Sequence, residues 1–239
     1  MRGAGLTLAL ALWAGVCAAQ PADVTGGRYA EPTTRYPHGA LGDESEWGAL
    51  ELDVRPCEGC EPTRRLIRLP ETRVFEDTAP RLVDVDGDGR REAVVVESDA
   101  EQGARLAIYG PEGLVAATPF IGQHFRWLAP AAVADLDGDG AVELAYVDRP
   151  HLAKVLRIWR FGEGGLTPVA EAPGLTNHRF GEIEISGGLR DCGAGPEIVL
   201  ASGDWSRVVA ARVDREQITT RDLGPYRGPG DMAAALACS

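Results

Sequence analysis

Beyond its first nineteen residues the chain has no apolar run approaching the ~18 residues that mark a membrane-spanning helix. It contains no Gly-x-Ser-x-Gly, His-Glu-x-x-His, Walker-type phosphate loop or dinucleotide fingerprint, so no familiar catalytic apparatus is written in it. Helical periodicity is nearly absent, which sets aside helix bundles and alternating α/β architectures. Lys and Arg number 24 against 36 Asp and Glu, a formal charge of -12. An acidic chain is a poor partner for nucleic acid and for anionic membrane surfaces, both of which need clustered Lys and Arg. Cysteine is sparse, with five in 239 residues.

What is present begins with a basic start, Met1-Arg2-Gly3, an apolar stretch to about Val16, and Cys17-Ala18-Ala19. This describes a Sec signal peptide, residues 1–19, cleaved before Gln20. A lipoprotein signal acylated at Cys17 would want a small residue before the cysteine and Leu three before it, where Val16 and Ala14 stand. The expected product is exported, periplasmic or secreted, and its roughly 220 residues suffice for one sizeable core. Four cysteines then remain, Cys57, Cys60, Cys192 and Cys238, and in an exported chain they read as two disulfides with three possible pairings. Cys57 and Cys60 fall at a hairpin tip between alternating runs at 50–54 and 66–69. That placement favours Cys57–Cys60 and Cys192–Cys238, the second tying the C-terminus to the last full repeat. No βαβ pattern or second close Cys/His pair supports a redox or zinc role for the Cys-x-x-Cys.

The chain is organised around one loop written twice. Asp84-Val85-Asp86-Gly87-Asp88-Gly89-Arg90-Arg91-Glu92 runs into Ala93-Val94-Val95-Val96, and Asp135-Leu136-Asp137-Gly138-Asp139-Gly140-Ala141-Val142-Glu143 runs into Leu144-Ala145-Tyr146-Val147. Carboxylates at positions 1, 3 and 5 can converge on one hard cation if the backbone curls tightly, which Gly at position 6 permits. Arg90 and Ala141 at position 7 would lend backbone carbonyls, and Glu92 and Glu143 would close the shell. Oxygen-only ligation with several charges suits Ca²⁺, giving two expected sites. An EF-hand is excluded because it needs Glu at position 12, here Val95 and Tyr146, and a helix where these loops are followed by β-branched runs.

Asp-x-Asp-Gly-Asp-Gly-x-x-Glu followed by an apolar strand resembles the FG-GAP, or VCBS, repeat of integrin α-subunit propellers and many secreted bacterial proteins. That resemblance implies one propeller blade per repeat, with the acidic loop joining two blade strands around Ca²⁺. The family usually closes its shell with Asp, whereas this chain has Glu92 and Glu143.

Flanking segments support a period of about 50 residues. Phe75–Pro80 leads into the first loop as Phe125–Pro130 leads into the second, and a further strand follows each at Gly113-Leu114 and Gly165-Leu166. A degenerate third copy runs from Phe180 through Asp191-Cys192-Gly193 to Glu197-Ile198-Val199-Leu200, with most of its acids gone. Residues 46–70 read as a metal-free version carrying the disulfide hairpin, and Ala233–Cys238 as a short helix or last strand. The expectation is all-β: a small propeller of four or five blades, or alternatively an open β-repeat sandwich. Residues 20–35 are expected as a surface leader and 36–239 as one domain. Its repeats would cover about 36–74, 75–124, 125–179 and 180–225, with a closing segment at 226–239 and a further lead-in starting at Asp222.

Blade-to-blade connections in a propeller gather around the central channel. The lead-in segments carry His38, His124 with Arg126 and Trp127, and His178 with Arg179, which together would suit an anionic or sugar-like ligand. The competing explanation is repeated packing, with Phe75, Phe125 and Phe180 wedged between blades, and His151 reads as a loop residue. The function expected is a monomeric, exported, calcium-binding interaction module for a protein or carbohydrate ligand. The alternative, implied by enzymes that carry such repeats, is a glycan hydrolase or lyase with its site at the channel mouth.

Overall fold

The computed structural model describes residues 22–42 and 44–239. The expected signal peptide and Cys17 lie outside the described residues. The apolar runs after the acidic loops form β6 (Glu92–Asp99) and β10 (Glu143–Asp148), buried along their whole length. Each is the second strand of an antiparallel meander. The first meander comprises β5 (Arg81–Val83), β6, β7 (Gly103–Gly110) and β8 (Gly113–Ala117). The second comprises β9 (Leu128–Ala134), β10, β11 (Val155–Gly162) and β12 (Gly165–Pro173). The third comprises β14 (Gly188–Asp191), β15 (Pro196–Ser202), β16 (Arg207–Asp214) and β17 (Gln217–Pro225). Ahead of them β1 (Asp23–Thr33), β2 (Glu46–Arg55) and β3 (Thr63–Arg68) make a smaller meander, joined to the first blade through β4 (Arg73–Phe75). A two-residue strand, β13 (Leu175–Thr176), pairs with the end of β15, and α1 (Pro229–Leu236) closes the chain. The all-β repeat architecture is therefore present as four sheet units, three of four strands and one of three.

Strict alternation along the middle strands explains how the units stack. On β6, Ala93 and Val95 pack toward the N-terminal sheet, whereas Val94 and Val96 pack toward the second blade. On β10, Leu144 and Tyr146 face the first blade, and Ala145 and Val147 face the third. On β15, Ile198 and Leu200 face the second blade, while Val199 and Ala201 lie under Met232 and Ala235 of α1. Strands buried on both faces have no polar face to show, which is why they read as continuous apolar runs. Each fully buried Val, Leu or Ile there contributes about 1.5–3 kcal/mol.

Three expectations need correction. Residues 23–33 are an edge strand paired along β2 from Asp23↔Arg55 to Thr33↔Glu46, not a surface leader. Their polar look comes from one solvent-facing side, while Val24 is buried. Asp222–Pro225 is the end of β17, not a further lead-in. Phe75, Phe125 and Phe180 are not structurally equivalent. Pairing with the last part of the middle strand instead aligns Phe75 (with Glu97), Leu128 (with Asp148) and Leu175 (with Ser202), all buried. The chain leaves the sheet between β4 and β5 and between β13 and β14, whereas β9 runs through, so similar words fall at different depths. Phe180 is 62% exposed.

The lead-in segments meet on one side of the stack. Trp127 Nε1 donates to Glu76 O at 2.8 Å, Asn177 Nδ2 to Pro130 O at 2.9 Å, and Gly181 N to Ala40 O at 3.1 Å. Gly42 sits at φ 80°, and a Cβ there would collide with Gly181 O.

Candidate metal loops and ligand pocket

The first acidic loop joins β5 to β6, and the second joins β9 to β10. Asp84 turns its carboxylate inward, accepting from Gly87 N and Gly89 N, each at 2.8 Å. Asp135 does the same with Gly138 N (2.7 Å) and Gly140 N (3.0 Å). These turns need φ of 85° at Gly89 and 90° at Gly140, a region that side chains with a Cβ rarely occupy. The closing acids reach back across the loop: Glu92 accepts from Val85 N at 3.2 Å and Glu143 from Leu136 N at 2.8 Å.

One oxygen from each of Asp84, Asp86 and Glu92 lies within 4.8 Å of the others, and the same holds for Asp135, Asp137 and Glu143. With Ca–O distances of about 2.3–2.6 Å, oxygens on opposite sides of Ca²⁺ stand about 5 Å apart, so both triads fit the ion. The position-5 acids stand outside these groups; Asp88 pairs with Arg90, and Asp139 Oδ2 with Arg160 Nη1 at 3.1 Å. Burial pushes the Glu92 carboxyl up to about 7, opposed by the Val85 N–H and reinforced by Asp86, Asp88 and Asp84. A cation among these carboxylates would relieve that repulsion. Around Glu143 burial again raises the carboxyl, but Arg160 opposes it.

The third loop has changed character. Asp191 accepts from Gly193 N (2.8 Å) and Gly195 N (3.1 Å), keeping the turn. Its closing acid, Glu197, pairs with Arg190 (2.7 Å) and Arg221 (3.0 Å). Burial would raise Glu197, yet the two guanidinium groups outweigh it and hold the carboxyl below its ordinary value. Both expected disulfides are formed, Cys57–Cys60 and Cys192–Cys238, the latter tying this loop to the end of α1.

Where the lead-in segments meet, the four histidines of the chain gather. Trp127 lies 4.9 Å from His178 and 6.4 Å from His151, and His38 stacks on Phe125 at 5.0 Å. A cavity of about 190 Å³ opens between His38, His151, Phe125, Trp127 and Phe180, with Arg126, Arg149 and Leu152 at its rim. His178 Nε2 faces Glu182 O at 2.7 Å and must donate to it, which leaves its Nδ1 to accept from His151 Nε2 at 2.9 Å. Burial, then His178 and His38, pushes His151 down from 6.5 to about 4, and burial lowers His178 too, so both rings are neutral at pH 7. His38 Nδ1 meets the buried Glu76 at 2.5 Å.

Of the expected ligand residues, His38, Arg126 and Trp127 line the cavity. His178 sits behind it, buried, and His124 is stacked at 3.6 Å on Phe125, hydrogen-bonded to Ala100 O. Arg179 is turned away, lying over Trp205 at 4.2 Å. His151 and Arg149 were missed as site residues because they belong to the β10–β11 turn, not to a lead-in. An Arg-Pro-His turn directly after a buried strand was the available signal.

Meander repeats whose first and second strands are joined by paired acidic loops define a class of β-repeat protein. Residues 84–146 match the family model of the FG-GAP-like repeat. No curated protein matches the sequence. Among solved structures, the exotype rhamnogalacturonan lyase YesX is 16% identical with a TM-score of 0.41, covering 87% of this chain and 50% of its own. Rhamnogalacturonan lyase YesW is 12% identical with a TM-score of 0.41, covering 87% and 52%. The β-xylosidase/α-arabinofuranosidase CoXyl43 from a compost microbial metagenome is 15% identical with a TM-score of 0.39, covering 88% and 82%. The chain thus spans about half the length of the two lyases, and likenesses this distant carry no argument about activity. No described helix is long and apolar enough to cross a membrane.

Proposed function

We propose that this chain is an exported, calcium-binding interaction module. Ca²⁺ would fix its two acidic loops, and its ligand would enter the histidine-aromatic cavity. The observation that carries the calcium reading is the repeated triad: Asp84, Asp86 and Glu92 in one loop, Asp135, Asp137 and Glu143 in the other, each gathered within 4.8 Å. Two disulfides fit a protein working outside the reducing cytoplasm. The bound ion would replace carboxylate repulsion with coordination at the turns that set the blade strands. The cavity offers aromatic faces beside Arg126, suiting a ring-shaped carbohydrate or an anionic group of a protein partner. Its lining includes no carboxylate, the group that glycoside hydrolysis uses in pairs, which favours binding over hydrolysis.

Thermal melts in EDTA, Mg²⁺ and graded Ca²⁺ test the reading. Binding to the native state alone stabilises by about 2.7 kcal/mol at a hundredfold excess over Kd. A Ca²⁺-specific rise in Tm, reduced in Asp86→Ala and again in Asp137→Ala, is expected. An unchanged Tm across all metal conditions would sink it.

A further inference from the structure

The two acidic loops are alike in sequence but not in their surroundings. In the second, one guanidinium reaches three carboxylates at once. Arg160 Nε lies 2.6 Å from Glu143 Oε1, Nη2 2.7 Å from Asp137 Oδ2, and Nη1 3.1 Å from Asp139 Oδ2. Two of those acids belong to the triad that would hold the ion. The β10–β11 register places Arg160 directly across from Glu143. The corresponding neighbour of Glu92 is Gly110, the residue after Tyr109, which pairs with Ala93. Gly110 has no side chain to send into the first loop. Among the described residues no cationic side chain comes within ion-pair distance of Asp84, Asp86 or Glu92, since Arg90 pairs with Asp88 instead. In the third repeat the register puts Arg212 one step beyond Ile198↔Ala211, opposite Glu197, to which it comes within 3.8 Å. There Arg190 and Arg221 also pair with Glu197, and of the loop's other acids only Asp191 remains.

We propose that Arg160 is an intramolecular counter-ion that competes with the divalent cation for the second loop. The loops are therefore filled in order, the first at lower Ca²⁺ than the second, and the third position is given over to arginine altogether. The inference rests on the calcium reading above and adds to it a residue that sets the affinity of one loop. Physically, a planar guanidinium with donors on three nitrogens satisfies the same carboxylate oxygens that Ca²⁺ would take. Ca²⁺ entering the second loop must displace those charge-assisted bonds, while in the first loop it meets unopposed charge. Losing one to two such bonds corresponds to about a ten- to hundredfold difference in affinity.

Calorimetric titration of the whole chain with Ca²⁺ tests this. Asp137→Ala isolates the first loop and Asp86→Ala the second. The first is expected to bind about ten- to hundredfold more tightly. Arg160→Gln in the Asp86→Ala background should bring the second loop close to the first, and Arg160→Lys, which keeps the charge but not the fork, should fall between. The melts supply an independent sign. Arg160→Gln should lower Tm in EDTA, where it leaves carboxylates unpaired, and lose that deficit or reverse it in saturating Ca²⁺. A purely structural arginine would lower Tm alike in both. Equal affinities in the two loops, or no tightening on Arg160→Gln, would overturn the inference and leave calcium binding standing. Absence of any Ca²⁺ heat, including in the chain with both loops intact, would instead overturn the calcium reading itself.

Discussion

At the scale of the residue, the glycines at position 6 are the least replaceable parts of the loops. Nothing lies within 4 Å of a Cβ built on Gly140, so space is not what excludes a side chain there. Its φ of 90° is. Gly140→Ala should lose about 1–2 kcal/mol in urea unfolding. The cavity carries a pH signature. His151 titrates near 4 in the folded chain and near 6.5 unfolded. Unfolded chains bind more protons between those values, so the stability present above pH 6.5 is lost as pH falls toward 4. His151→Gln should flatten that limb of a stability profile measured in saturating Ca²⁺. The loops were legible in the sequence because their ligands are neighbours along the chain and the pattern occurs twice. Arg160 was not, because it meets Glu143 from 17 residues away across a hairpin. His151 meets His178 across 27.

At the scale of the element, the residue that anchors each blade's first strand is set by pairing depth. Leu128 is fully buried and equivalent to Phe75 and Leu175, whereas Phe180 stands largely in solvent. Leu128→Ala should therefore cost about 2–5 kcal/mol. Phe180→Ala should stay within about 0.5 kcal/mol, with denaturant midpoints deciding between the two positions. The strands themselves were readable from their β-branched runs and turn signals. The interruptions between β4 and β5 and between β13 and β14 were not, because an excursion from a sheet leaves no period of its own. The two disulfides also differ at this scale. Cys192–Cys238 closes a separation of 46 residues and Cys57–Cys60 one of 3. By chain entropy, replacing the first pair with Ser should lower stability by about 4 kcal/mol and the second by about 2 kcal/mol or less, as measured by urea unfolding.

At the scale of the whole molecule, the sheet units form a series in which each touches its neighbours, with the β1–β3 sheet at one end and α1 at the other. Repetition made the series legible, but not its ends. β1 looked like a leader because an edge strand keeps one polar side, and α1 is too short to announce a helical period. The stack depends on that helix to cover Val199, Ala201 and Val208. Met232→Asp would set an unpaired charge against this face and expose it. The variant is expected to associate more strongly than the parent at the same concentration, which analytical ultracentrifugation would show.

The Cys192–Cys238 bond has a consequence for the order in which the molecule comes apart. Its third repeat is held by a covalent link that no chelator removes. If the loops bind calcium as proposed, the first has no other counter-charge on its triad among the described residues once the ion is withdrawn, while the second keeps Arg160. Hydrogen exchange should therefore quicken first in β6 on chelation and less in β10, with β15 keeping its protection. On that reading, the end of the molecule closed by a covalent bond would outlast chelation, and the part closed by carboxylates alone would be the first to open.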